Sequence, residues 1–371
     1  MLKNFRETKR YIFLIILITL FISFYVFHLN IKKSEQLYIL EIFDVVEDIC
    51  IESDDIYIVG WKFDMNYQKC ISCLAKLDEN GNIIWNVTWV DGDGSLARSI
   101  SCDNNYIYVL SEIKNETYHY ICFKKFDSKG ELLLSRCWKH ENNPFISDIK
   151  IIENDIYFIL NGKLIKINRE GEIIWVRDLN GRAVNLDILF NRIYVAGFTT
   201  KNATGGCDTI LACFDFDGNL IWYTKRESVK GDMPIKVCAT PSGIYLLVIG
   251  SKGWKLRTII KFDLEGNQKW DKSSKTYIDI KYYNGYLYSA GAIKEDSSSD
   301  LLKLDALISK LNLNGEIIWN KKFGESNRED YAHGVFVNEK GIFIVGTTES
   351  YGKYPERKGF LIIIKNKGIL S

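Results

Sequence analysis

Three features of the 371-residue sequence predict an all-β chain, a seven-bladed β-propeller of four-stranded antiparallel blades behind an N-terminal transmembrane helix. One turn phrase recurs six times at near-constant spacing. A strand phrase recurs seven times. An orphan strand precedes the first unit, and the last unit lacks its fourth. Four strands repeating every ~40–50 residues mark propeller blades. The composition agrees: Tyr 21, Phe 20 and Trp 9 occur in a chain that is 47% hydrophobic, and such residues suit pleated, half-buried surfaces. That hydrophobicity excludes a disordered chain. Lys+Arg 48 against Asp+Glu 47 gives +1, and the first 35 residues hold six of the bases and two of the acids. The remaining body, 42 basic and 45 acidic, carries −3. It lacks the basic footprint of a nucleic-acid binder.

Met1–Arg10 is polar and basic, with Lys3, Arg6, Lys9 and Arg10 against Glu7. Tyr11–Leu29 is almost wholly apolar, and its 19 residues span roughly 28 Å as a helix, close to a bilayer core. No small-residue cleavage site follows, so the run reads as an uncleaved signal anchor rather than a signal peptide. The basic flank puts residues 1–10 in the cytoplasm and everything beyond the 30–36 linker outside the membrane. Residues 37–371 then form the propeller.

Leu37–Phe43 is the orphan strand. Behind it the repeat begins. The turn phrase is LDENGNIIW (77–85), FDSKGELLL (126–134), INREGEIIW (167–175), FDFDGNLIW (214–222), FDLEGNQKW (262–270) and LNLNGEIIW (311–319). Its glycines, Gly81, Gly130, Gly171, Gly218, Gly266 and Gly315, are spaced 49, 41, 47, 48 and 49 apart. Asp or Asn opens each turn and Gly supplies a positive φ between two strands, c and d. Upstream lies a second hairpin, a to b, whose outgoing strand reads DDIYIVG, NYIYVLS, NDIYFIL, NRIYVAG, SGIYLLV, NGYLYSA and KGIFIVG. The inner strands a are expected to start at Asp48, Ser99, Ile149, Leu186, Lys236, Asp279 and Gly334. The seventh unit ends at Ser371 without a strand d, so Leu37–Phe43 is expected to close the ring as its outer strand, removing an open edge.

Trp85, Trp175, Trp222, Trp270 and Trp319 stand four residues after the turn glycine, with Leu134 in blade 2. Equivalent positions on separate blades cannot converge on one ligand, so each indole is expected to pack against its neighbouring blade. The D-x-x-G-x-x-x-W text resembles the tryptophan-docking motif of quinoprotein-like propellers. That group includes pyrroloquinoline-quinone dehydrogenases and the propeller lipoproteins of outer-membrane assembly. IYVAGFTT, GGCDTILACFDFDGNLIW (205–222) and FGESNREDYAHGVFV (323–337) are similar to the repeat propellers of bacterial and archaeal cell surfaces. The resemblance covers about residues 37–371 and implies fold more than function. Quinoprotein enzymes carry adjacent cysteines beside the cofactor, and this sequence has no Cys-Cys. The expectation is a non-enzymatic branch without a cofactor.

Candidate chemistry is sparse. Four histidines (His28, His119, His140, His333) are scattered, and no paired metal spacing occurs. Cys70-x-x-Cys73 lies in an expected strand rather than at a helix start, so core packing is its expected role. The nine cysteines are odd in number and leave disulfide pairing open. Asp91–Ser95 echoes a calcium loop but lacks the closing ligands and is expected to link two blades. Asn86, Asn115 and Asn202 head N-glycosylation sequons. The face carrying the b–c and d–a loops is the expected ligand face. Trp61, Trp254, Tyr351 and Tyr354 are its aromatics, and Arg98, Arg182, Asp330 and His333 stand near the starts of inner strands. The function expected is binding or scaffolding at the cell surface, with an extracytoplasmic protein or glycan as ligand. A quinoprotein-like oxidoreductase and a subunit of an envelope assembly or secretion complex are the alternatives.

Overall fold

The computed structural model describes residues 35–114, 118–140, 148–200, 206–227, 231–250, 257–294, 304–325, 328–351 and 356–365. Among them, 28 strands form seven four-stranded antiparallel sheets. From the axis outward, strands a to d of blade 1 are Val45–Glu52, Asp55–Asp64, Lys69–Leu77 and Ile83–Trp89. Blade 2 is Gly94–Cys102, Tyr106–Lys114, His119–Asp127 and Leu132–His140. Blade 3 is Lys150–Ile152, Asp155–Leu160, Lys163–Ile167 and Ile173–Arg177. Blade 4 is Arg182–Leu189, Arg192–Thr200, Cys207–Phe214 and Leu220–Arg226. Blade 5 is Asp232–Thr240, Gly243–Gly250, Arg257–Phe262 and Gln268–Ser274. Blade 6 is Thr276–Tyr283, Tyr286–Lys294, Leu304–Leu311 and Ile317–Phe323. Blade 7 is Asp330–Asn338, Gly341–Thr348 and Lys358–Lys365, completed by Glu35–Leu40.

The seventh blade is therefore closed by the N-terminal strand, in register from Glu35↔Ile364 to Leu40↔Gly359. The strand starts two residues earlier and ends three earlier than the alternation of Leu37–Phe43 suggests. Phe43 instead turns inward, fully buried, and its carbonyl accepts the Gly359 N–H at 2.8 Å. Tyr11–Leu29 lies outside the described residues, among which no helix is long and apolar enough to cross a membrane.

Apolar clusters fill the junctions between sheets, one to each pair of neighbouring blades. The strand-b tyrosines Tyr57, Tyr108, Tyr157, Tyr194, Tyr245 and Tyr288 are all buried there. The tryptophan series packs as expected. Trp85, Trp175 and Trp222 donate Nε1–H to the carbonyls of Ser128, Phe216 and Leu264 in the next blade, at 3.2, 3.3 and 3.0 Å. A Cβ added at Gly266 would sit 2.8 Å from the Trp222 ring. The turn glycine thus serves both its φ of +86° and the approach of the indole. Tyr38 takes the tryptophan's place on the closing strand, over Gly81.

Candidate functional site

The a–b and c–d turns share one face of the ring, the turn face. The b–c and d–a connections share the other, the loop face. Six of the seven inner strands carry a β-bulge near their loop-face end: Val46/Asp48, Ala97/Ser99, Ala183/Asn185, Pro234/Lys236, Tyr277/Asp279 and Ala332/Gly334. A bulge breaks alternation and re-aims a side chain. The inserted residues are Glu47, Arg98, Val184, Ile235, Ile278 and His333. This register position is polar in the consecutive blades 7, 1 and 2 and apolar in blades 4, 5 and 6.

The polar three form one cluster. Trp61 Nε1 donates to Glu47 Oε1 at 2.9 Å, and Arg98 Nη1 bonds the same oxygen. Arg98 Nη2 lies 3.5 Å from Glu112 Oε2, and Glu112 Oε1 lies 3.6 Å from His119 Nδ1. His333 Nε2 shares a 3.1 Å hydrogen bond with Thr347 Oγ1, and its ring stacks on Tyr331. Burial holds the His333 imidazole below its ordinary value, with the Glu47 carboxylate pulling the other way and Arg98 and Arg357 reinforcing the shift. It is neutral at physiological pH. The arrangement presents the partly exposed Arg98 and Glu47 beside the Trp61 indole, with Glu112 buried behind them.

Beneath this mouth the axis is lined by charge. Lys236 Nζ bonds Asp148 Oδ1 at 2.6 Å and Asp279 Oδ1 at 3.0 Å. Lys281 Nζ lies 3.3 Å from Asp148 Oδ2, and Lys150 Nζ 2.9 Å from Asp187 Oδ1. Burial alone would raise the Asp148 carboxyl, but the Lys236, Lys281 and Lys150 ammoniums outweigh it and hold the group well below the usual range. Asp48 is pushed up to about 6 by burial and by the Asp148 charge. The same ring stitches blades together. Asp48 Oδ2 accepts the Ile100 N–H and the Ser99 hydroxyl, both at 3.0 Å. Asn185 Oδ1 accepts Val237 N–H and Asp279 Oδ2 accepts Val335 N–H, both at 3.0 Å.

Of the residues singled out from the sequence, Trp61, Arg98 and His333 come together. Asp330 lies apart, buried near the start of its strand, where Ser350 Oγ donates to it at 2.5 Å and Thr348 Oγ1 also bonds it. Burial raises its carboxyl despite those donors. Tyr351 is 40% exposed close by. Arg182 lies over the Asn161–Gly162 turn of blade 3 and does not join the cluster. Trp254, Tyr354, Asn115 and Asn202 lie outside the described residues, while Asn86 is exposed on strand d of blade 1. Asp91 links blades 1 and 2 through a 2.9 Å ion pair with Lys124. Cys73 is buried in the core between blades 7 and 1. Among the described residues no three His, Cys, Asp or Glu side chains are grouped to hold a metal. Sequence reasoning missed Glu47, Glu112, His119 and the whole axial ring. Aligning the three residues ahead of each strand-a phrase would have set Glu47 beside Arg98 and His333.

No protein-family model matches the chain, and no curated protein does. Solved structures do. The β-propeller domain of the Trilobed protease from Pyrococcus furiosus is 14% identical, over 87% of this chain and 95% of that one, with a TM-score of 0.51. The Neurospora crassa Pan2 WD40 domain is 10% identical, over 73% and 90%, with a TM-score of 0.50. BamB from Moraxella catarrhalis is 13% identical, over 85% and 82%, with a TM-score of 0.47. The likenesses to the Pyrococcus and Neurospora domains establish a shared propeller fold and nothing about activity. The Pyrococcus domain is described as having an open velcro topology; here the Glu35–Leu40 strand closes the ring.

Proposed function

We propose that the chain is a membrane-anchored, extracytoplasmic propeller that binds a protein or glycan at the cell surface through its loop face. The observation that carries this reading is the convergence of Glu47, Arg98 and His333 from three consecutive blades on the loop-face end of the axis, beside Trp61. The path of the chain supports it. The closing strand runs from turn face to loop face, as every strand d does, so Glu35 sits at the turn face. Only residues 30–34 separate it from the Tyr11–Leu29 run, and five residues span at most about 18 Å. An anchor there holds the turn face toward the bilayer and leaves the loop face pointing away. Two disulfides, Cys50–Cys102 and Cys122–Cys137, suit an oxidising compartment.

The test places a photo-crosslinking residue at Met65 on the loop face, 72% exposed, or at Asp54 on the turn face, in full-length chain in intact cells. Adducts from position 65 only, lost in an Arg98→Ala/Glu47→Ala background, are expected. Adducts from the turn face alone, or from position 65 undiminished in that background, would refute the site. A membrane-impermeant maleimide should label Met65→Cys in intact cells above the wild-type level; labelling only after lysis would reverse the orientation.

A further inference from the structure

We propose that blade 2 is held by a pair of disulfides that substitute for its missing docking tryptophan, so that reduction loosens this blade alone. Five blades set an indole over the turn glycine of the next blade or at the matching position, and the closing strand sets Tyr38. Blade 2 instead sets the Leu134 and Arg136 side chains over Gly171. Its only strand-d indole, Trp138, packs further along, against Phe158. Both disulfides involve this blade. Cys122 and Cys137 are directly opposed on strands c and d, with Cα atoms 4.1 Å apart, and they fasten the outer strand that lacks the indole. Cys50 and Cys102 join the inner strands of blades 1 and 2, with Cα atoms 6.1 Å apart.

The register of the ring explains the second bond. Asp48 reaches the Ile100 N–H of the next blade, an offset of 52 residues, and Asn185 reaches Val237 with the same offset. Two residues further along, Asp187 accepts the Ala239 N–H at 2.8 Å. Cys50 and Cys102 occupy the positions that correspond to Asp187 and Ala239. A hydrogen bond between blades 4 and 5 is thus replaced by a covalent bond between blades 1 and 2. Each disulfide forms when two thiols lose two protons and two electrons to an oxidised thiol–disulfide carrier; dithiothreitol returns them. Cys137 is exposed whereas Cys50 and Cys122 are buried, so a reducing thiolate reaches Cys137 first. Cys70, Cys73, Cys207, Cys213 and Cys238 carry thiols.

Formation of the bonds in the cell rests on the extracytoplasmic reading, so the experiment has two arms. Full-length chain is taken from cells lysed in alkylating agent, and the same chain is purified reduced and then incubated with glutathione disulfide. Peptide mapping should find Cys50–Cys102 and Cys122–Cys137 in both. Bonds in the second arm only would support the clasp and overturn the location; their absence from both overturns the clasp. Dithiothreitol should then raise hydrogen exchange in Leu132–His140 at least tenfold and leave Leu220–Arg226 of blade 4 unchanged. Leu134→Trp should restore protection in the reduced protein, as Trp175 and Arg177 already share the equivalent site above the Phe216–Gly218 turn of the next blade. An equal rise in all blades, no rise, or no rescue by the tryptophan would refute the substitution of disulfide for indole.

Discussion

The ring should open if its closing strand is removed, and the cost can be worked out from the structure. Glu35–Leu40 pairs with Gly359–Ile364 at six positions. At about 1 kcal/mol net per hydrogen bond, that pairing contributes roughly 5 kcal/mol. Leu40 and Phe43 are 2% and 0% exposed and belong to the cluster between blades 7 and 1. Taking out two such side chains removes about 3–6 kcal/mol of burial. The total approaches 10 kcal/mol, the size of a whole domain's stability. A variant lacking residues 1–34 should therefore melt like the intact propeller. One lacking residues 1–43 should fail to reach a cooperative native state, or should lose its transition by far more than 5 °C. A milder change keeps the test readable. Phe43→Ala leaves a cavity in the buried cluster between blades 7 and 1 and should cost ~3–5 kcal/mol. That is about 5 °C at the ~2 cal/mol/K per residue usual for unfolding. Calorimetry of the variants decides it. Equal melting with and without residues 35–43 would mean that the strand is a mere linker and that blade 7 stands as a three-stranded sheet.

Other consequences are smaller in scope. Trp222→Ala removes both the packing over Gly266 and the bond to the Leu264 carbonyl; about 3 kcal/mol should be lost in denaturant titration, and Trp222→Phe should recover part of it. Lys236→Met takes from Asp148 and Asp279 one of the two ammoniums they share and should cost ~3–5 kcal/mol at pH 7 in denaturant titration. Asp48 binds its proton more tightly folded than unfolded, with a folded value of about 6. Its contribution to stability is therefore full below about pH 4 and fades as the pH rises through 6. Asp48→Asn should remove that decline, on the order of 1 kcal/mol, in melts compared at pH 4.5 and 7; an unchanged slope would contradict the shift.

How much of this was legible in the sequence divides along a physical line. The turn phrase is local. Asp215 Oδ1 accepts the N–H groups of Asp217 and Asn219, and Gly218 takes a φ of +80°, all within five residues, so the text alone carried the blade count. The closing strand was also legible, because an unmatched fourth strand at one end and an unclaimed strand at the other leave one solution. The boundaries were not. Six of the seven expected strands a begin at or just past a bulge, because an inserted residue breaks the alternation on which strand reading depends. The bulge is also where the polar cluster sits.

The axial ring was hidden for a different reason. Asp48, Asp148, Asp187, Lys236, Asp279 and Lys281 are scattered over five blades, and no single blade contains a motif. Each looks like an exposed polar residue of a half-buried strand until the ring is closed and their side chains meet. Lys236 finds carboxylates from blades 3 and 6, and Lys281 lies within 4.0 Å of both. The cysteines obey the same logic. Cys50 and Cys102 are 52 residues apart, the offset that brings Asp48 to Ile100. Once one inter-blade bond is known, the register of the ring identifies the other. What circular closure adds to the local text is this second periodicity, between equivalent positions of neighbouring blades. In this chain it carries the polar cluster of the loop face, the charges of the axis and the Cys50–Cys102 disulfide together.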